Sequence, residues 1–325
     1  VREIYMRYSS EVEAFGIDES WIELTGSPLL KERTPHEIAD EIRNTVKSEV
    51  GLSVSIGISF NKIFAKLGSD MKKPDAVTEI GRDTFRDQVW PLPVSDLLYV
   101  GRATAEKLGR YCIRTIGDLA NTERDILRSL LGINGEKIWA YANGLDASRV
   151  MPCDYTPPIK SIGHGITCTA DLVSESEVRG VFLELSQDIG LKLRKQGLAA
   201  NGVRITVRDN TLSHRQYQCK LPFPTQSYLE IYDAGIDLFH RRYSWSNNIR
   251  SLTISAIDLI SADTPVQLDL WTDMSKHKRR IRLEETIEDI RRRFGLHAIN
   301  FAAAGSMKIP VQSDIEYKMP SVMYK

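Results

Sequence analysis

The chain has no apolar run near the roughly 20 residues of a membrane-spanning helix. It opens on no signal peptide. It has no excess charge of either sign: 43 Lys+Arg balance 43 Asp+Glu over 325 residues. Taken whole, that neutrality argues against a polyanion-binding protein. Cysteine is scarce. Cys112, Cys153, Cys168 and Cys219 stand apart with no CxxC or Cys–His spacing, which speaks against zinc and fits a reducing, cytoplasmic setting. Low-complexity tracts are absent, and no repeat shows beyond one β-α-β duplication. What remains is ordinary globular composition, 42% apolar and 26% charged, at a length that suits two or three domains. The first residue is Val1 rather than Met, the start expected of a fragment or a processed form.

Residues 12–24 are rich in strand formers. Thr34-Pro35-His36-Glu37 is a capping box with Pro at the first helical position. Ile38, Ile42, Val46 and Val50 follow at i, i+4 spacing, and Gly51 ends that helix. Val54, Ile56 and Ile58 alternate as a strand. Asn61 can cap a short helix that stops before Pro74. From Pro91 to about Pro152 the pattern is short helices with glycine turns. Residues 153–160 hold two further prolines and read as a semi-rigid linker. After them the order is strand, helix, strand, strand, helix, strand over about 161–258. That order predicts a four-stranded sheet with helices on one face. From about 263 on, a tail carries one charged helix with a thin apolar stripe. The fold class is α+β.

Asp18-Glu19 lies inside a strand-like segment. Neighbouring strand residues point to opposite faces, so the two acids share one metal site only at a strand end, a turn or a bulge. Otherwise they are one exposed and one edge acid. A two-Mg²⁺ phosphoryl-transfer site needs a further ligand from elsewhere. Lys72-Lys73 after the short helix suits either a triphosphate or the helix's own C-terminal dipole.

GIDESWIELTG (16–26), VSIGISFNKIFAKLGSDMKKP (54–74) and LPVSDLLYVGRATAEKLGRYCIRTIGDLA (92–120) resemble, in order and spacing, the Y-family lesion-bypass DNA polymerases. The resemblance runs to about residue 260. It implies a partial palm over 1–90 with a mixed or antiparallel sheet, and an all-helical thumb over 91–152. The linker at 153–160 would lead to a β-α-β-β-α-β little finger over 161–262 and a tail over 263–325. It implies template-directed, two-metal DNA synthesis past lesions, with primer-template DNA and a deoxynucleoside triphosphate as partners and no membrane. By the same resemblance, Asp18 and Glu19 are two of three Mg²⁺-binding carboxylates and Lys73 holds the triphosphate. Asn61, Lys62 and Lys66 support that site or the DNA backbone. The family's first aspartate and its fingers would lie upstream of Asp18, so residues 1–325 are expected to be inactive alone.

Residues 98–108 resemble a helix-hairpin-helix, with Gly101, Arg102 and Thr104 at a DNA phosphate. Tyr99 stands where that motif usually has its first glycine. In the little finger, Lys160, Ser161, His164, Arg204, Arg208 and Arg215 are the candidate DNA contacts; taken singly, each arginine reads first as a solvated strand position, and His164 suits an ordinary polar contact equally well. Gln267, Leu268, Leu270 and Trp271 resemble the bacterial sliding-clamp-binding pentapeptide. A non-catalytic DNA- and clamp-binding protein is the alternative. A repair nuclease or glycosylase lacks visible hydrolytic residues. Regional charge qualifies the neutrality: residues 1–90 carry net −4, 91–152 carry +1, 153–265 balance, and 266–325 carry +3.

Overall fold

The computed structural model describes residues 1–265, 274–295, 298–299 and 301. The described residues form two compact units, one over Val1–Pro157 and one over those from Pro158 to residue 301. Among the described residues no helix is long and apolar enough to cross a membrane.

The first unit begins with α1 (Arg2–Tyr5), β1 (Val12–Ala14) and β2 (Ser20–Ile22). The long strand expected over 12–24 is thus two short antiparallel strands, with Val12 opposite Ile22. Gly16 is the reason: at φ +97° it takes a turn that disfavours a side chain. The Phe15 N–H donates to the Glu19 carbonyl at 2.8 Å and closes the loop. Helix α2 (Pro35–Val50) has the anticipated box. The Glu37 N–H donates to Thr34 Oγ1, and Glu37 Oε2 accepts from the Thr34 N–H. Gly51 ends it in the left-handed conformation.

β3 (Ile56–Ser59), α3 (Lys62–Met71) and β4 (Val77–Ile80) form a parallel β-α-β unit. Its close packing requires Gly57. A Cβ there would lie 1.9 Å from the Ala65 carbonyl oxygen, so any side chain would push α3 off the strand. Then come α4 (Phe85–Val89), α5 (Arg102–Gly109), α6 (Ile116–Asn121), α7 (Arg124–Leu131) and α8 (Ile133–Ala142). One apolar core runs from Phe64, Leu67 and Ile80 to Leu108, Leu119 and Ile138. The unit therefore has no break in packing at residue 90.

The second unit has β5 (Ser161–Leu172), α9 (Glu175–Gln196), β6 (Leu198–Asp209), β7 (His214–Thr225), α10 (Tyr228–Arg242) and β8 (Ile249–Ser261). The antiparallel sheet has the order β5-β8-β6-β7. Val203, Ile205, Val207, Leu252, Ile254 and Ala256 pack with Phe182, Leu185 and Ile189 of α9 and Ile231 and Phe239 of α10. Among the described residues of this unit, no helix packs on the other sheet face, called the open face below.

The tail helix α11 (Met274–Phe294) docks on the helical side through a polar seam. His277 Nδ1 lies 2.9 Å from Glu230, Arg280 pairs with Asp233 at 2.9 Å, and Arg291 donates to Gln187 at 2.7 Å. At the centre Glu284 is fully buried. Its carboxylate accepts from Ser227 Oγ and from the N–H groups of Tyr228 (3.0 Å) and Leu229 (3.2 Å), capping α10. Arg194 bridges Glu284 and Glu288. Burial pushes the Glu284 carboxyl above the usual range, against the pull of these hydrogen bonds.

Truncating Glu284 leaves the buried end of Arg194 and three donors without this acceptor. Glu284→Ala should cost about 3–5 kcal/mol in urea unfolding, and Glu284→Gln, which keeps an acceptor, clearly less. A raised folded-state value means the native chain holds a proton where the unfolded chain has released it. The stabilisation from this group is greatest below the ordinary glutamate range and declines as pH rises through the gap. The stability difference between the parent chain and Glu284→Gln should therefore shrink with rising pH; a growing difference would reverse that sign.

Candidate active site and nucleic-acid interface

The hairpin loop between β1 and β2 carries Asp18, exposed, and Glu19, half-buried. Both acids escape strand alternation because the turn, not a strand, holds them. Against the loop lies α3, along which Lys62, Lys66 and Asp70 recur every four residues on one face. Asn61 caps this helix by accepting from the Phe64 N–H at 2.8 Å.

Lys66 Nζ lies 3.1 Å from Glu19 and also pairs with Asp70. Lys73 binds Asp70 at 2.7 Å. Burial disfavours the Asp70 carboxylate, but Lys66 and Lys73 outweigh it and hold its carboxyl below the ordinary range. Lys73 is pushed up, first by its hydrogen bond and charge contact with Asp70, and further by the charges of Glu19 and Asp18. The fold thus brings Asp18, Glu19, Lys66 and Lys73 together. Among the described residues no group of three or more His, Cys, Asp or Glu is placed to hold a metal ion.

Lys62 points elsewhere. Its ammonium is 2.6 Å from Glu13 and 4.3 Å from the centre of the Trp21 ring, with the side chain only 12% exposed. Trp21 Nε1 in turn donates to the Lys62 carbonyl at 3.0 Å. Lys62 therefore fastens the hairpin to α3.

Gly101 precedes α5, exposed and with open space around it. Arg102 is almost fully exposed and pairs with Glu106 at 2.8 Å, while Thr104 is half-buried. Tyr99 takes the left-handed conformation, φ +71°, that a glycine would adopt without strain. Its ring packs 5.8 Å from Tyr141.

Strand pairing sorts the candidates in the second unit. Arg204, Thr206 and Arg208 alternate with buried Val203, Ile205 and Val207, so they line the open face. Beside them stand Ser255, Thr253 and Ser251 of β8 and Gln218, Gln216 and His214 of β7, with Lys220 next along. None of these positions is a carboxylate. Lys160 is exposed just before β5, which starts at Ser161. His164 pairs with Ile254 and turns to the helical side, 2.9 Å from Asp188 of α9. Arg215 pairs with core residue Val207 and falls on that side as well. Lys220 and the polar row of β7 are additions that sequence reasoning passed over. The alternation His214, Gln216, Gln218, Lys220 was their signal. Gln267, Leu268, Leu270 and Trp271 lie outside the described residues.

The impB/mucB/samB family matches residues 1–70, and its C-terminal domain matches 159–270. A DNA polymerase IV of Acetivibrio thermocellus is 41% identical over 298 residues, covering 92% of this chain and 74% of that protein. One from Clostridium kluyveri is 33% identical over 300 residues, with 90% and 74% covered. The chain belongs to the Y-family DNA polymerases. A solved Y-family DNA polymerase chimera shares the fold, with TM-score 0.66 at 17% identity, covering 80% of this chain and 74% of its own. The Y-family is a family of translesion DNA-directed DNA polymerases, and a sheet face carrying Arg204, Arg208 and Lys220 among neutral polar residues accords with it.

Lys62→Met keeps the stem over Trp21 and strands the Glu13 carboxylate. We expect a loss of about 1–3 kcal/mol in urea unfolding and little change in DNA affinity. Full stability with weakened DNA binding would put Lys62 on the DNA instead.

Proposed function

We propose that this chain carries part of a two-metal nucleotidyl-transfer site for DNA synthesis past lesions, with Asp18 and Glu19 as Mg²⁺ ligands. The carrying observation is that a single hairpin loop presents both carboxylates above Lys66 and Lys73. Hard oxygen donors of this kind suit Mg²⁺. When bound, two Mg²⁺ ions would supply Lewis-acid stabilisation as a primer 3′-hydroxyl gives up its proton and bonds to the α-phosphorus of a deoxynucleoside triphosphate, with pyrophosphate leaving. Lys73, exposed and charged, is placed to meet the triphosphate as a point charge. Lys66 holds Glu19 and Asp70 in position.

Arg204, Arg208 and Lys220, with Lys160 and Ser161, would meet phosphates on the open sheet face. Gly101, Arg102 and Thr104 would do so at the hairpin. Backbone contact without base reading suits a distorted template. The site needs more acids than this pair, so residues 1–325 by themselves are expected to bind DNA without extending it. Mn²⁺ titration read by electron paramagnetic resonance tests the ligands: Asp18→Asn and Glu19→Gln should each weaken binding several-fold. Unaltered binding in both, or Mg²⁺-dependent primer extension by residues 1–325, would overturn the respective statement.

The pentapeptide 267–271 is proposed to fill an apolar groove of a bacterial sliding clamp with Leu268, Leu270 and Trp271, while Gln267 fixes register. Leu270→Ala and Trp271→Ala should each lose retention in a clamp pull-down; equal retention of both removes the idea.

A further inference from the structure

Helix α11 turns two of its four acids inward, and a third, Glu285, stays exposed three residues on from Arg282. Its acids Glu284 and Glu288 are turned into the seam on Arg194, and Asp289 is taken up by Arg292 and Arg293. Its inward cations are committed as well, Arg280 to Asp233 and Arg291 to Gln187. Lys278, Arg279 and Arg282 are left, all exposed. Spaced i, i+1 and i+4, they share one side of the helix. The seam residues His277, Arg280, Glu284 and Arg291 fix the helix's rotation, so this row faces solvent whenever α11 is docked. One apolar residue, Leu283, is exposed next to it, which is no patch for a protein partner.

We propose that the outward row of α11 is a second DNA-backbone surface of the C-terminal unit, separate from the open sheet face and taking duplex phosphates without reading bases. This rests on the DNA-synthesis reading above. The row belongs to a helix packed on α9 and α10, whereas Arg204 and Arg208 line the opposite side of the sheet. The two surfaces therefore meet different stretches of backbone, and their contributions should be separable.

The test is fluorescence anisotropy of a primer-template duplex with the full 325-residue chain, over a KCl series. Each phosphate neutralised contributes about 0.9 to the slope of log affinity against log salt. Lys278→Ala/Arg279→Ala/Arg282→Ala should lower that slope by about two to three and weaken binding at least tenfold at low salt. The matching triple glutamine variant should do the same, with thermal unfolding unchanged in both. Arg204→Ala/Arg208→Ala supplies the separate arm and should lower the slope independently. If the sheet variant loses slope and neither triple variant does, the α11 surface is wrong and the DNA reading stands. If the parent chain shows no salt-dependent DNA binding, the DNA reading itself falls.

Discussion

The ammonium of Lys62 holds the candidate active site in place. Glu13 of β1, Trp21 of β2 and the first turn of α3 all converge on it. A three-residue strand pair is too short to keep its own loop fixed in water. Tied to the helix at this point, the hairpin carries Asp18 and Glu19 to where Lys66 and Lys73 already stand. Glu13 also accepts from the Met151 N–H at 2.9 Å, so the end of the first unit is gathered to the same place. Behind it, α3 can lie flat on β3 only because Gly57 has no side chain. A site built from a turn and a helix thus inherits its geometry from one partly buried ion pair and one glycine.

The second unit meets a similar problem by opposite means. Its sheet and two helices already close an apolar core, and no residue of α11 belongs to it. It binds through charge instead. A buried carboxylate is costly to desolvate, and capping α10 and meeting Arg194 offset only part of that cost, so its carboxyl stays above the usual range. Such a seam gives little net stability per contact but tolerates few rotations of the helix. Its result is orientation: Glu284 and Glu288 inward, Lys278, Arg279 and Arg282 outward.

Much of this was legible in the residues. The box at Thr34 and Glu37, the stop at Gly51, and the strand order of the second unit follow from short-range signals that act within a few residues. The break in residues 12–24 turned on Gly16, whose left-handed turn outweighed the strand propensity around it. The inward turn of His164 and Arg215 depended on which strands pair, which no single strand records. The docking of α11 was hidden for a further reason: its seam is polar, so the apolar periodicity that betrays a packed helix is faint. The continuity of the core across residue 90 likewise arises from contacts between distant helices.

Net neutrality, finally, says little about a polyanion partner. Charge acts over about a Debye length, roughly 8–10 Å in physiological salt, so a distant acid hardly weakens a local cation. What counts is whether each cation is spent inside the fold. Lys62, Arg194 and Arg280 are spent on structure. Arg204, Arg208 and Lys220 line a face whose neighbouring positions are serine, threonine, glutamine and histidine. Asp18 and Glu19 stand together on the hairpin instead, with Lys66 and Lys73 at hand. A chain with equal numbers of both signs can therefore hold a carboxylate pair in one place and a basic row in another, because folding sorts the charges that composition only sums.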